Sequence, residues 1–385
     1  MRIVHVVFSG RYSGAEILAR DLALNQCARG FGVDLIAVEP GEPSFQPEIA
    51  RMASNGIDFH APGGSLGNGI ARTLFLSRTL RRIAPDIVIA HSILPSLYCR
   101  GAKLLGAKFR LTTVLHSIND YEDQLLLWAE RISGHMNAAV IGVCPEACSH
   151  YRKAVAGKRE PHWIPNGIDL DRFVFEESAR HSVRRDTYGA GEDDFVFLQV
   201  GRLNEVKQQL LTLSAVNQVA DHCRIRGKIF LVFVGPEEAG PYSQQFRDAI
   251  SRPCAEGLTV CYLGARADVA KLLQGADLAL MPSTWEAHSV AALEAVASGV
   301  RLVISDIDAF AAIARLEGTF SFRSGDMKSY AAAIINGLRT GLNIRFQRNL
   351  EEFSIATCSQ RYLEVAAGTA RPCAQVHFDG PPVID

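Results

Sequence analysis

Short runs of apolar, mostly β-branched residues alternate along the chain with segments whose apolar positions recur every three to four residues. Near-continuous apolar runs are typical of strands in parallel sheets covered on both faces, and the longer period is that of helices. The first series of predicted strands covers residues 2–9, 33–40, 86–92, 109–117 and 138–144. The second series covers residues 195–201, 228–235, 258–264, 278–283 and 301–306. This repetition predicts an α/β protein.

A turn-rich segment, "HWIPNGIDLDRF", separates the two series and is followed by a charged stretch. The pattern predicts two doubly wound, Rossmann-like domains facing a central cleft, with the ligand chemistry on loops at the carboxyl ends of the strands. The expected boundaries are an N-terminal domain over 1–170, a linker over 171–192, a C-terminal domain over 193–357, and a C-terminal helix and tail over 358–385. We expect that last segment to pack back on the N-terminal domain.

Composition argues against nucleic-acid-binding, zinc-binding and membrane-spanning proteins. The 385 residues are 48% hydrophobic, which is enough for a core in each domain, and a formal net charge of −1 argues against a nucleic-acid partner. Cys144 and Cys148 lack a second pair of zinc ligands, so we interpret the 9 cysteines as free thiols of a reducing compartment. No apolar run has the length of a membrane span, and the N-terminus enters a strand pattern directly. We therefore expect a cytoplasmic protein.

Cations and glycines follow two of the predicted strands. Arg202 and Lys207 flank the start of a helix after strand 195–201, where they suit a diphosphate or are simply solvated. Gly14 lies in the turn after the first strand, where backbone could approach an anion or merely enter a helix. The dinucleotide and Walker A glycine patterns are absent here, which disfavours a nicotinamide dehydrogenase.

Two glutamates lie eight residues apart in "PSTWEAHSVAALEA". Glu286 is predicted in a loop and Glu294 in an apolar helix with Ser289 as its N-cap, so free amides there favour a phosphate. A carboxylate at Glu294 would accept hydrogen bonds from ribose hydroxyls or pair with an arginine. Eight helical residues rise about 12 Å, more than the roughly 5 to 9.5 Å between glycosidase carboxylates, so a glycosidase pair is disfavoured.

Histidines and aspartates also follow predicted strands. His91 and His116 each end a strand of the first series, and we interpret His91 as structural. Asp306 and Asp308 form a D-x-D sequence like the metal motif of another transferase class. No further carboxylates accompany them, so no metal is expected.

In chain order, Gly14, His116, "IPNGIDLDRF", "GRLNEVK", "VGPEEAG", "LGARADV" and "PSTWEAHSVAALEA" resemble the motifs of the retaining GT-B glycosyltransferases, in particular glycosyltransferase family 4 with its E-x7-E motif. The resemblance covers nearly the whole chain. It implies a GT-B fold and a retaining, metal-independent hexosyltransferase that uses a nucleotide-diphosphate sugar and no cofactor. The implied acceptor is a glycan or a lipid-linked molecule in cell-surface polysaccharide or lipopolysaccharide biosynthesis.

The resemblance also implies roles for the matched side chains. Glu286 would hydrogen-bond the donor sugar, Glu294 would hold the ribose, and His116 would contact the sugar near the reacting carbon. Arg202 and Lys207 would neutralise the departing diphosphate.

Backbone is implied to complete the donor site. Amides near Gly14, Ser289 and Val290 would cradle the phosphates, and the loop at Ala265 and Arg266 would recognise the base.

The chain departs from the family pattern in two places. The family usually has Gly-Phe-Gly where this chain has Ala287, His288 and Ser289. Losing the glycines removes backbone freedom where amides approach phosphate, and we expect the Ser289 hydroxyl and a His288 donor to compensate for it. Gly299, Val300 and Arg301 replace Gly-x-Pro at a strand entry.

The acceptor side leaves alternatives open. Residues 70–110 contain the basic pattern "ARTLFLSRTLRR", which suits peripheral contact with an anionic membrane or an ordinary amphipathic helix packed inward. Two other functions compete with a cell-surface transferase: an enzyme making a small soluble glycoside, and a catalytically inactive GT-B binding subunit.

Overall fold

Two parallel sheets organise the chain in the computed structural model, which describes residues 1–117, 121, 123–155, 160–222, 227–339, 341 and 344–370. The strands of the first sheet are β1 (Arg2–Val7), β2 (Gly32–Ala37), β3 (Asp58–His60), β4 (Ile87–His91), β5 (Arg110–Leu115), β6 (Ala139–Gly142) and β7 (His162–Trp163). Those of the second are β8 (Phe195–Val200), β9 (Ile229–Val234), β10 (Leu258–Tyr262), β11 (Leu278–Met281), β12 (Arg301–Ser305) and β13 (Thr319–Phe322).

The strand orders are β3-β2-β1-β4-β5-β6-β7 and β10-β9-β8-β11-β12-β13. Both sheets therefore repeat the doubly wound order 3-2-1-4-5-6, in which the winding direction reverses beside the first strand. The predicted α/β class with two Rossmann-like domains is confirmed.

Helices follow the strands in sequence. Those of the first series are α1 (Gly14–Ala28), α2 (Gln46–Ser54), α3 (Gly69–Ile83), α4 (Ile93–Leu104), α5 (Gln124–Ser133) and α6 (Pro145–Val155). The later helices are α7 (Glu177–Val183), α8 (Gln209–His222), α9 (Pro241–Ile250), α10 (Val269–Gly275), α11 (Val290–Ala297), α12 (Ala311–Ala314), α13 (Met327–Arg339) and α14 (Ile355–Ala367).

Alternate residues of β1 face opposite sides of the first sheet, as the period of a strand requires. Val4 packs in a cluster with Leu76 of α3, whereas Val7 packs with Ala19 of α1. His5 shares the face of Val7 and is fully buried. The polar imidazole ring of His5 therefore lies inside the layer between β1 and α1.

Three short strands were not predicted: β3, β7 and β13. Each is the edge strand of its sheet and contains partly exposed positions. An edge strand is covered less completely than a central one, so its sequence lacks the continuous apolar run that marks the others.

The chain divides into two units, Met1–Asp169 with the segment from Glu351 onward, and Leu170–Leu350. The first boundary lies one residue from the expected one, but residues 171–192 are not a free linker. They contain α7 and a π turn (Arg184–Tyr188), whose Arg180 and Arg184 bond the buried Asp277 of the second unit at 2.8 Å each. Two buried ion pairs fix this segment as part of the second unit.

The C-terminal helix α14 packs against α1, β5 and β6 of the first unit. Ile168 bridges to Ser354, and the Cys358 thiol donates to the carbonyl oxygen of Pro165 at 3.4 Å. Residues 351–357, expected in the C-terminal domain, therefore belong to the first unit. The tail beyond residue 370 lies outside the described residues.

The basic segment 70–110 forms α3, α4 and the start of β5. Helix α3 buries Leu76, Leu80 and Ile83 and exposes Arg78, so its apolar stripe is largely directed inward. Among the described residues, no helix combines the length and apolarity needed to cross a membrane.

Candidate active site at the carboxyl ends of the strands

The second sheet reverses its winding between β8 and β11, which are neighbours in the sheet. In doubly wound folds the loops after such a pair form a ligand crevice. The loop after β8 carries Arg202 and Lys207, and the loop after β11 carries Glu286. The amide of Thr284 donates to the carbonyl oxygen of Val206 at 2.9 Å, so the two loops are joined through their backbones.

Lys207 and Glu286 form an ion pair between these loops. Their side chains are only 17% and 11% exposed, and the Ser283 hydroxyl donates a further hydrogen bond to Glu286 at 2.9 Å. The turn holding Lys207 is fixed as well, because its amide donates to the Asn204 side chain and its carbonyl accepts from Gln199 at 2.6 Å. A rigid turn thus presents one cation against one carboxylate.

Arg202 pairs with Glu238 from the loop after β9. Both side chains are largely exposed, at 56% and 42%, and Asn204 donates to the other oxygen of Glu238 at 3.0 Å. Because water screens this pair, Arg202 is held more weakly than Lys207.

Gly235 brings the loops after β8 and β9 together. Its φ is +148°, and a Cβ there would come within 1.9 Å of the carbonyl oxygen of Gly201. Only glycine fits this contact, which places Arg202 beside the loop that carries Glu238.

The N-terminus of α11 lies after the Glu286 loop. Ser289 is the N-cap, as predicted, and its hydroxyl oxygen accepts from the amide of Ala292 at 3.4 Å. The first amides of a helix, here those of Val290 and Ala291, have no carbonyl partner within it. These groups could bind an anion.

Residues 287–289, which stand where the family usually has Gly-Phe-Gly, adopt a backbone conformation that does not require glycine. Among the described residues, the non-glycine positions with positive φ are Ala84, Ser92 and Gln208, so residues 287–289 avoid the left-handed region. Burial lowers the pKa of His288 to about 4, so the ring is neutral at physiological pH and adds no positive charge. Arg301, the other departure, is buried and donates to the carbonyl oxygen of Gly337 at 2.6 Å.

The remaining predicted residues of the second unit occupy separate positions. Glu294 is half-buried inside α11, where its carbonyl oxygen accepts from the Ser298 amide at 3.0 Å. Ala265 and Arg266 are exposed after β10, and Arg266 makes a two-pronged ion pair with Asp268 at 2.7 and 2.8 Å. The structure therefore joins Lys207 to Glu286 directly and places Glu294, Ala265 and Arg266 on other segments of the second unit.

In the first unit, Gly14 and His116 follow β1 and β5. Gly14 is the first residue of α1, and a Cβ at this position would meet no atom within 4 Å. A ligand could therefore approach the backbone here. In the first turn, the Ser13 hydroxyl donates to the buried Glu16, whose pKa is raised by burial.

His116 ends a row of three histidines. Its Nε2 lies 3.0 Å from Nδ1 of His91, whose Nε2 lies 3.0 Å from Nδ1 of His5. The row ends at Gln26 of α1, whose Oε1 lies 2.9 Å from Nε2 of His5. Burial lowers the pKa of His5 and of His116 to about 4, and burial together with the adjacent rings lowers the pKa of His91 well below its ordinary value. All three rings are therefore neutral at physiological pH.

One group of described residues places potential metal ligands within 4.8 Å of one another: Asp34, Asp58 and His60. Asp34 already accepts from Arg2 and His60 at 3.0 Å each. A cation would compete with the Arg2 guanidinium, so these side chains are better explained as an ion-pair cluster. Asp306 of the D-x-D sequence is exposed and accepts from the Ser324 amide at 2.8 Å.

Several site residues were missed from the sequence. Ser283 and Glu238, which bond Glu286 and Arg202, are loop residues of ordinary type with no distinctive spacing. Asn204 could have been predicted from sequence, because an asparagine three residues before Lys207 is a typical cap of a helical turn. His5 and Gln26 contact each other only through tertiary structure.

Comparison with known proteins identifies the family. A model described as Glycosyltransferase Family 4 matches residues 12–172, and one described as Glycosyl transferases group 1 matches residues 194–340. The chain is 25% identical over 317 residues to the putative glycosyltransferase EpsF of Bacillus subtilis (strain 168), covering 79% of each chain.

A further relative is the Escherichia coli UDP-Gal:alpha-D-GlcNAc-diphosphoundecaprenol alpha-1,3-galactosyltransferase, 25% identical over 173 residues, or 45% of this chain and 43% of that enzyme. The crystal structure of Anabaena Alr3699/HepE with UDP and glucose superposes with a TM-score of 0.74 at 20% identity, covering 96% of this chain and 100% of that one. Because the family models cover both units and the fold is shared, this chain belongs to the family 4-like glycosyltransferases of the GT-B class.

Proposed function

We propose that this glycosyltransferase moves a hexose-type sugar from a nucleotide-diphosphate donor to a glycan or lipid-linked acceptor, with retention and without a metal ion. The bond between the sugar and the diphosphate breaks, the acceptor oxygen forms the new glycosidic bond, and the proton of the acceptor hydroxyl passes to the leaving diphosphate. The pathway we propose is cell-surface polysaccharide or lipopolysaccharide biosynthesis, carried out on the cytoplasmic side of the membrane. The E. coli relative, whose name specifies a diphosphoundecaprenol acceptor, supports this acceptor class.

The observation that carries the proposal is the pairing of Lys207 with Glu286 where the second sheet reverses its winding. A diphosphate would draw the ammonium of Lys207 away from Glu286, and Arg202 would leave its weaker pair with Glu238. Glu286 would then be free to accept hydrogen bonds from sugar hydroxyls. The amides at the start of α11, near Ser289 and Val290, would bind phosphate oxygens.

The leaving diphosphate gains negative charge as the glycosidic bond breaks. Two cations and a helix N-terminus stabilise that charge without a metal, because they are already oriented before the reaction. In this proposal Glu294 holds the ribose and the loop at Ala265 and Arg266 receives the base. His116 and the Gly14 turn keep the donor contacts that the family resemblance implies.

Calorimetry and thermal shift with UDP, GDP and ADP test the proposal and identify the base. One nucleotide should stabilise the protein, and Lys207→Ala should weaken its binding by about tenfold, since charged hydrogen bonds contribute about 1.5–3 kcal/mol. Turnover with the matching sugar nucleotide should survive a chelator. If no nucleotide binds, the protein is instead an inactive binding subunit; inhibition by the chelator that Mg²⁺ reverses would contradict metal independence.

A membrane-bound acceptor is supported by exposed apolar side chains on α3, α4 and α5 and at the residue directly after α4. They are Ile70, Leu74, Leu94, Leu104, Leu105, Leu125, Trp128 and Ile132. The exposed basic residues Arg78, Arg81 and Arg82 lie on the same unit, which suits an anionic bilayer. Sedimentation with vesicles containing anionic lipid should recover the protein at low salt, and Trp128→Ser should reduce recovery. Equal recovery of both proteins would refute contact through α5.

A further inference from the structure

The row of Gln26, His5, His91 and His116 runs from α1 across β1 and β4 to the end of β5. Its three contacts measure 2.9, 3.0 and 3.0 Å, and they use both ring nitrogens of His5 and of His91. His5 and His91 are almost completely buried, so water cannot substitute for a missing partner. Nδ1 of His116 is the one ring nitrogen that the row does not use.

A neutral imidazole has one N–H donor and one acceptor nitrogen. In a row of neutral rings each contact needs one of each, so the direction of one hydrogen bond fixes that of all the others. Either all three rings carry the proton on Nε2, or all three carry it on Nδ1. A single mismatched ring would leave two donors or two acceptors facing each other in a buried site.

Gln26 lies at the buried end of the row, and the orientation of its amide selects between these two states: the structure turns its Oε1 toward Nε2 of His5. Its Oε1 can only accept, so His5 must donate through Nε2. His5 then accepts at Nδ1 from Nε2 of His91, and His91 accepts at Nδ1 from Nε2 of His116. This leaves Nδ1 of His116 with a lone pair and no proton.

We propose that Gln26, His5 and His91 are positioning residues that hold His116 in the Nε2–H tautomer, so that Nδ1 of His116 accepts a hydrogen bond from a hydroxyl of the donor sugar. The role toward the sugar rests on the proposed function; the tautomer does not. The row also fixes the plane of the His116 ring, which stacks against His91 at 5.3 Å between ring centroids.

The first test uses the full-length protein with ¹⁵N-labelled histidine and needs no substrate. Long-range ¹H–¹⁵N correlation spectra distinguish protonated from unprotonated ring nitrogens, and each resonance is assigned by the loss of its signal in a single His→Gln variant. His5, His91 and His116 should all show the proton on Nε2 near neutral pH. Protons on Nδ1, or a charged ring, would overturn the proposal.

Variants at Gln26 test its part in the row. In Gln26→Met the fixed acceptor is lost, so His116 should show a mixture of tautomers; in Gln26→Glu an acceptor is retained and the Nε2–H form should remain. Asn25→Leu on the same helix is the matched control and should leave the spectrum unchanged. A wild-type tautomer in Gln26→Met would show that Gln26 does not set it.

Kinetics then test the connection to the reaction. Gln26→Met should lower kcat/KM by about tenfold, within the range for one hydrogen bond, and Gln26→Glu should restore most of the activity. If the tautomers are as proposed and the nucleotide still fails to bind, the proposed function is wrong and the row is structural. If the nucleotide binds while Gln26→Met changes the tautomer but not kcat/KM, the contact with the sugar is refuted.

Discussion

Replacing Glu286 with Gln should tighten nucleotide binding while impairing sugar transfer. In the ligand-free protein the positive charge of Lys207 is neutralised by Glu286, so a diphosphate must first break this pair. Glutamine has the same shape but no charge. The variant should therefore release Lys207 for the phosphates and remove a negative charge from beside them.

The burial of the pair sets the size of the effect. Breaking a fully buried pair costs about 3–5 kcal/mol, and an exposed pair contributes about 0–1 kcal/mol. With side chains 17% and 11% exposed, the Lys207–Glu286 pair lies between these limits, and we take about 2 kcal/mol. This corresponds to a Kd for the nucleoside diphosphate about 30-fold lower.

Calorimetry at about 0.15 M salt, where the Debye length is about 8 Å, measures this change. Glu238→Gln is the matched control, because it removes the partner of Arg202 from a pair whose side chains are 56% and 42% exposed. The control should tighten binding by less than about fivefold. Equal or weaker binding by Glu286→Gln would refute the reasoning, since it would mean that the carboxylate does not compete with phosphate for Lys207.

Three further predictions concern the framework of the fold. Asp277→Asn should destabilise the protein by about 4 kcal/mol in calorimetric unfolding, because it removes the buried carboxylate from two arginines, whereas the exposed Asp308→Asn should have little effect. Burial alone would raise the pKa of Asp277, but the two arginines outweigh burial and lower that pKa. The free energy of unfolding that Asp277 contributes is therefore present above the ordinary pKa of a carboxyl group and is lost as the pH falls through the lowered pKa. Asp277→Asn should remove this acid dependence. Ser92→Gly should stabilise the protein by about 1 kcal/mol in urea unfolding, because Ser92 adopts φ +81° and ψ 167°, a region that glycine enters without strain; destabilisation would contradict this. Gly235→Ala should lower the free energy of unfolding by about 4 kcal/mol and abolish nucleotide binding, because its Cβ would collide with the carbonyl oxygen of Gly201. Gly240→Ala is the control: its Cβ would meet nothing within 4 Å, so this variant should bind the nucleotide normally.

The central strands could be predicted from sequence because each is buried on both faces and is therefore mostly apolar. The burial of Ile87–His91, where every residue is buried, illustrates this. The segment 171–192 was misassigned because its charges look solvated in sequence. Arg180 and Arg184 are in fact buried against Asp277, almost a hundred residues later in the chain, and no local pattern reveals such a pair.

The site was predictable where residues follow strands that lie next to each other. Lys207 and Glu286 follow β8 and β11, and the doubly wound order makes these strands neighbours. Their direct ion pair was not predicted, because both side chains had been assigned to a ligand. The histidine row could not be predicted either, because its three rings lie on or directly after three strands far apart in sequence and contact one another only in the folded sheet.

The return of α14 to the first unit affects how the protein can be synthesised. During translation the second unit, Leu170–Leu350, leaves the ribosome ahead of the helix that completes the first unit. Until Ile355–Ala367 emerges, the surface of α1, β5 and β6 that it covers stays open, including the groove beside Gly167 that receives Cys358. The earlier-encoded unit therefore cannot complete its fold until the end of translation, and until then it exposes apolar surface of the kind that makes folding intermediates prone to aggregation.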